Sequence, residues 1–197
     1  MQDRQPKSGD KARVIVTIAC NRRCDGCCNN GSVFAQHNVI SDISSVFGYS
    51  IIMITGGEPM LYPEQTLALV RRIRRESDAS VYLYSSLFRE ADRATWVELT
   101  ALLDGFQFTL HAEADDFDIV AMEHLSAFVA TMKHPDRSFR LSIDHRLYEH
   151  HDFSNLDLSG WDVVRKLTWV EDCPLPQGEE LFLLRVRPDD WDGLPVP

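Results

Sequence analysis

The feature that most constrains this chain is a repeat: short, β-branched apolar runs alternate with segments of helical spacing. Residues 13–18 (RVIVTI) are apolar almost throughout, the pattern of a strand buried on both faces. Residues 50–55 (SIIMIT) read as a second buried strand and residues 80–84 (SVYLY) and 106–110 as a third and a fourth strand, and Phe139, Leu141 and Ile143 alternate in a fifth. Between them, residues 63–76 set Leu67, Val70 and Ile73 on one helical face. Residues 90–104 do the same with Trp96, Leu99 and Leu103, with Gly105 as a stop signal. Residues 116–132 carry Met122, Leu125, Val129 and Met132 at that spacing. A short helix is expected within 39–47, a weak helix over 161–167, a short strand over 168–170 and another over 181–186. Such alternation implies βα units, hence a mostly parallel sheet with helices outside it. Right-handed crossovers curl that sheet. A closed barrel of eight units needs ~250 residues. The 197 residues here leave room for about six, so the expected α/β fold is an open, partial (βα)6-type barrel. Residues 1–12 read as a flexible arm, 13–187 as the barrel core, and 188–197 as an acidic, Pro-rich tail.

In barrels of this kind chemistry gathers at the C-terminal ends of strands. Two motifs fall there. The chain has five cysteines, and Cys20, Cys24, Cys27 and Cys28 crowd together just after the first strand. The N-terminus is polar with no signal-peptide core, and no apolar run approaches the ~18 residues of a membrane helix. A cytoplasmic protein is expected, where a disulfide framework is disfavoured and a tight cysteine group reads as metal ligation or redox chemistry. Cys20, Cys24 and Cys27 have the form C-x3-C-x2-C. Three thiolates on one loop can hold three irons of a cubane and leave the fourth open, whereas closed electron-transfer clusters use four cysteines. Cys28 points away from Cys27 if the two are ordinary neighbours, and both Cys28 and Cys173 read as small buried apolar residues. A zinc-binding module is the alternative, and it needs Cys173 or a histidine to complete four ligands. Arg22 and Arg23 are expected to lower the thiol pKa values.

The second motif, Gly56-Gly57-Glu58-Pro59, ends the second strand. Glycines let backbone approach a ligand closely, a strand-terminal Glu can bind an ammonium group, and Pro59 fixes the exit of the turn. Later strand ends carry Ser85 and Ser86, then His111 and Glu113, then Asp144 and His145. Each is either a ligand contact or a solvated loop residue. His150 and His151 are expected at the surface.

Taken together, Cys20, Cys24 and Cys27 after the first strand and Gly56, Gly57 and Glu58 after the second resemble the radical S-adenosylmethionine enzymes. The βα order agrees over about residues 13–170. The resemblance implies a 4Fe-4S cluster on the three cysteines, with S-adenosyl-L-methionine chelating the open iron. It implies that the Gly-Gly-Glu segment holds the methionine amino group. It further implies that residues such as Ser85, His111 and Asp144 contact ribose, carboxylate or substrate. An electron donor such as flavodoxin or ferredoxin would reduce the cluster, the sulfonium bond would break, and a 5′-deoxyadenosyl radical would abstract hydrogen from a substrate. One position departs from the family: the aromatic residue usual before the last cluster cysteine is Gly26 here. Only Cys173 lies beyond residue 28, so no auxiliary cluster of the kind found in many peptide-modifying members fits.

Charge bounds the partners. Lys plus Arg is 20 and Asp plus Glu is 30, a net charge of −10, which disfavours nucleic acid and anionic membrane. The run Arg71, Arg72, Arg74 and Arg75 reads as a solvated helix face. A core this small leaves its side opening to be covered by a peptide or protein substrate, as in glycyl-radical activases. The other option is a homodimer, as in the compact synthases of the 7-deazapurine pathway, which act on small molecules. The expectation leans to a macromolecule, with a basic leader or surface to match the acidic chain.

Overall fold

Parallel strands need crossovers of a dozen or more residues, and the helical segments of this chain supply them. The computed structural model describes residues 10–24, 27, 37–132, 136–168 and 175–185. Its strands are β1 (Lys11–Ile15), β2 (Asn38–Ile40), β3 (Ile51–Thr55), β4 (Ser80–Ser85), β5 (Gly105–Leu110), β6 (Ser138–Asp144), β7 (Val163–Leu167) and β8 (Glu179–Leu184). They form one sheet in the order β2-β8-β1-β3-β4-β5-β6-β7, parallel at every pairing. β2 and β7 are its edges, so the sheet is open. The crossovers carry α1 (Pro63–Glu76), α2 (Arg93–Leu102) and α3 (Asp116–Thr131). No helix among the described residues is long and apolar enough to cross a membrane.

Period-2 alternation gives the sheet two unlike faces. One carries Ala12, Val14, Ile52, Ile54, Val81, Leu83, Phe106, Phe108, Phe139 and Leu141, all buried. The α-helices cover this face. Trp96 of α2 lies against Phe106 (5.4 Å), α1 packs on α2, and Ser126 of α3 accepts a hydrogen bond from Trp161 (3.0 Å), whose ring meets Phe106 (5.5 Å). The register lines up the other face as Arg13 with Met53 and Tyr82, then Tyr84 with Gln107 and Arg140, then Ser142 with Arg165. That face is polar, and none of the three α-helices lies on it.

Several elements differ from the sequence expectation. β1 covers 11–15 rather than 13–18, though its pairing continues beyond Ile15 as described below. The segment 39–47 splits into β2 and a 3-10 turn (Ile43–Val46) capped by Asp42. The weak helix over 161–167 is instead the edge strand β7: Val163 and Val164 suit an extended chain, and Arg165 and Lys166 protect an exposed edge. Thr168 lies outside any strand, and 169–170 fall outside the described residues. The 181–186 strand is β8, which inserts between β2 and β1. Helix α2 is preceded by a 3-10 turn (Glu90–Asp92) and ends at Leu102. Gly105 opens β5, where a Cβ would collide with the Ser138 carbonyl oxygen. Of the arm expected over 1–12, residues 1–9 lie outside the described residues and Lys11 and Ala12 belong to β1; the tail expected over 188–197 lies wholly outside them. The arginine run behaves as a paired helix face: Arg71 bonds Glu98, Arg72 bonds Asp42 (2.9 Å), Arg74 bonds Asp104 (2.5 Å) and Arg75 bonds Glu76 (2.5 Å).

Replacing Gly105 by Ala should therefore destabilise the chain by about 1–3 kcal/mol in a urea titration, because β6 backbone must give way. Gly48→Ala, with nothing within 4 Å of its Cβ position, should stay within about 0.5 kcal/mol of wild type.

Candidate metal centre

β1 continues to hydrogen bond past its regular end. Val16 N–H donates to the Thr55 carbonyl (2.9 Å), Gly57 N–H to Thr17 (2.6 Å) and Glu58 N–H to Ala19 (2.8 Å). The chain leading into the cysteines thus runs beside 55–58, and the two sequence motifs are laid against each other. Both glycines are required by that approach. A Cβ on Gly56 would strike the Thr17 carbonyl oxygen and one on Gly57 that of Ala19, while Gly56 also has φ at 145°. The close neighbour these glycines admit is the cysteine loop's own backbone.

Cys20, Cys24 and Cys27 are free thiols, the first exposed and the others half-buried. Cys27 N–H donates to the Cys24 carbonyl (3.2 Å), and Arg22 N–H donates to Cys20 Sγ (3.4 Å). The three sulfurs are near enough to feel one another: Cys27 raises the pKa of both Cys20 and Cys24, and Cys20 raises that of Cys24. Three thiols on one loop within electrostatic reach of one another, with a backbone N–H aimed at one sulfur, fit an iron-sulfur cubane. Gly26, Cys28 and Cys173 lie outside the described residues.

The pKa values of Cys20 and Cys24 are both raised by burial, and the pull of the Arg22 N–H and guanidinium on Cys20, in the direction the sequence suggests, does not offset it. Burial followed by the Glu113 carboxylate pushes Cys24 up to about 12. Arg22 is also engaged elsewhere: its guanidinium grips Asp118 of α3 at 2.9 and 2.5 Å and reaches the Ser86 carbonyl at 3.3 Å. Its side chain is only 5% exposed. Asp118 also closes a capping box with Asp115, so the first turn of α3 is tied to the cysteine loop. The capping signal Asp115-x-x-Asp118 is visible in sequence. The long-range partner Arg22 is not. Ligation of metal by such thiols must release protons.

Glu58 is 1% exposed and fully engaged by the chain. One carboxylate oxygen accepts from Met60 N–H (2.9 Å) and Ser85 Oγ (2.7 Å), the other from Ser86 N–H (2.7 Å) and Ser86 Oγ (2.9 Å). Burial pushes its pKa up, and those donors pull the other way. Ser85 and Ser86 thus serve Glu58, and the three together join the ends of β3 and β4. His111 is held neutral, its pKa lowered to about 4 by burial and then by Arg22. Ligand atoms of Cys24, His111 and Glu113 lie within 4.8 Å of one another, so the loop after β5 meets the cysteine loop. Asp144 is buried and accepts from Arg146 N–H (3.0 Å), Nε (3.0 Å) and Nη2 (2.9 Å), with His145 Nδ1 at 3.5 Å. It stands two strands from β4, at the same strand-end rim. His150 and His151 line a cavity of about 740 Å³ with Tyr148, Asp152 and Phe153.

Residues 8–115, more than half of the chain, match the family model described as the 4Fe-4S single cluster domain. No curated protein matches the chain.

In the metal-free protein, iodoacetamide at pH 8 should modify Cys24 more slowly than Cys20, read by peptide mass mapping, because Cys24 is held as the thiol. Removing the negative charge with Glu113→Gln should lower the Cys24 pKa and speed its modification. An unchanged rate would mean that Glu113 does not face Cys24.

Proposed function

The chain belongs to the 4Fe-4S single cluster domain family, and from that premise we propose that it is a radical S-adenosylmethionine enzyme. The observation that carries this reading is the backbone pairing of the cysteine loop with Gly56-Gly57-Glu58, which sets three thiols beside a strand-end segment suited to a cosubstrate. Cys20, Cys24 and Cys27 would hold the cluster. Bound there with S-adenosyl-L-methionine, it supplies reductive cleavage of a sulfonium bond and hydrogen abstraction from a substrate.

The chain's own residues do the positioning. Glu58, engaged by Met60, Ser85 and Ser86, holds the Gly-Gly segment in place, and the backbone of that segment is offered to the methionine amino group. His111, neutral at physiological pH, supplies a hydrogen-bonding imidazole for the ribose. Asp144, fixed by Arg146, lines the same rim for the cosubstrate carboxylate side or the substrate. The sequential run β1-β3-β4-β5-β6-β7 supports a sheet curled into a partial barrel around that rim. A cytoplasmic flavodoxin or ferredoxin is the proposed electron donor. The lean is to a peptide or protein substrate, since an open sheet leaves room for one.

Anaerobic loading with iron and sulfide should give about four irons per chain. Cys20→Ala, Cys24→Ala and Cys27→Ala should each abolish uptake, while Cys28→Ala and Cys173→Ala retain it. The loaded, reduced protein should convert S-adenosylmethionine to 5′-deoxyadenosine and methionine, assayed by liquid chromatography. Full cluster loading without any cleavage would reject the enzymatic reading and leave a cluster-binding module.

A further inference from the structure

The net charge of the whole chain hides the sign of one surface. On the sheet face opposite the helices, Arg13, Arg140 and Arg165 share a patch with Tyr82, Tyr84, Gln107 and Ser142, as the strand register requires. Side-chain contacts agree. The Arg13 guanidinium lies 4.9 Å from the centre of the Tyr84 ring, and the Tyr84 hydroxyl reaches Met53 Sδ at 3.7 Å. Gln107 Nε2 (2.9 Å) and Arg165 Nε (2.7 Å) both donate to Ser142 Oγ.

Two of these arginines differ from those on the exposed face of α1. The helix-face arginines each have a carboxylate partner. Arg13 has one, Glu179 at 2.7 Å, but Arg140 and Arg165 hold only serine hydroxyls, and among the described residues neither has an acidic partner. Both are exposed, so each presents unused N–H groups in the fork geometry that matches carboxylate and phosphate. Within a chain of net charge −10, these two exposed guanidinium groups without acidic partners make a local positive patch on one sheet face. The face adjoins the rim: Asp144, at the end of the strand that carries Arg140, belongs to both.

We infer that this face binds an anionic group of the substrate, a carboxylate or a phosphate, through Arg140 and Arg165, with the Arg13–Tyr84 pair beside them. The inference rests on the enzymatic reading for the word substrate, and not for the binding itself. It reverses the sign expected from composition, which pointed to a basic partner.

The test is equilibrium binding to the full-length chain without S-adenosylmethionine or reductant, so that failure of the catalytic reading does not affect it. Fluorescent hexaglutamate and hexalysine are compared by anisotropy, and pyrophosphate is titrated by calorimetry. An acidic chain repels an acidic probe everywhere but at a local positive site. Hexaglutamate or pyrophosphate should bind, and Arg140→Gln and Arg165→Gln should each weaken it about tenfold, the loss of one charge-assisted contact. Arg165→Lys should lose less, and Arg71→Gln, on the helix side, should lose nothing. Hexaglutamate separates a peptide source of the anion from a small phosphorylated one. No binding of either anion would overturn the proposal. So would equal losses in Arg71→Gln and Arg165→Gln, or tighter binding of hexalysine than of either anion.

Discussion

Two backbone hydrogen bonds, Gly57 to Thr17 and Glu58 to Ala19, organise the functional end of this protein. They extend the β1–β3 pairing beyond the last regular residues of both strands, and they exist only because residues 56 and 57 lack side chains. The cysteine loop is thereby fixed to the sheet at its root. A metal centre needs ligands held to a fraction of an ångström, and sites carried by rigid elements reach that precision more readily than free loops.

Two buried charged groups hold the same region from its sides. Arg22 binds Asp118 and so ties the cysteine loop to α3, while Glu58 gathers Met60, Ser85 and Ser86 and so ties β3 to β4. Each is buried with most of its hydrogen-bonding capacity used, the condition under which a buried polar group specifies a structure rather than weakening it. The cost falls on Cys24, which is half-buried beside the Glu113 carboxylate and is thereby held as the thiol.

Local signals carried much of the fold. The bounds of α1 follow from Pro63 at its start and the Leu67, Val70, Ile73 stripe, both local properties. The same holds for β3 and for α3 with its Asp115 cap. A local signal misleads where it has two readings. Gly105 looks like a helix stop, yet its absent side chain answers to Ser138 on another strand. Residues 161–167 have mixed character, and β6 decided the matter by offering an open edge. The position of β8 between β2 and β1 depends on contacts more than a hundred residues apart, which no local pattern encodes.

For the site, the sequence alone determined the residue types, their order and the strand ends they occupy: three cysteines after β1, Gly-Gly-Glu after β3, His111 and Glu113 after β5. Those follow from periodicity, which is a property of neighbouring residues. It did not determine what each charged group faces. Arg22 lowers Cys20 and is also bound to Asp118, the Glu58 carboxylate accepts from Met60, Ser85 and Ser86, and an acidic chain exposes two arginines with no acidic partner among the described residues on one face of its sheet. Charge partners are chosen by distance in space, and the strand order that sets those distances is fixed only when the whole sheet assembles.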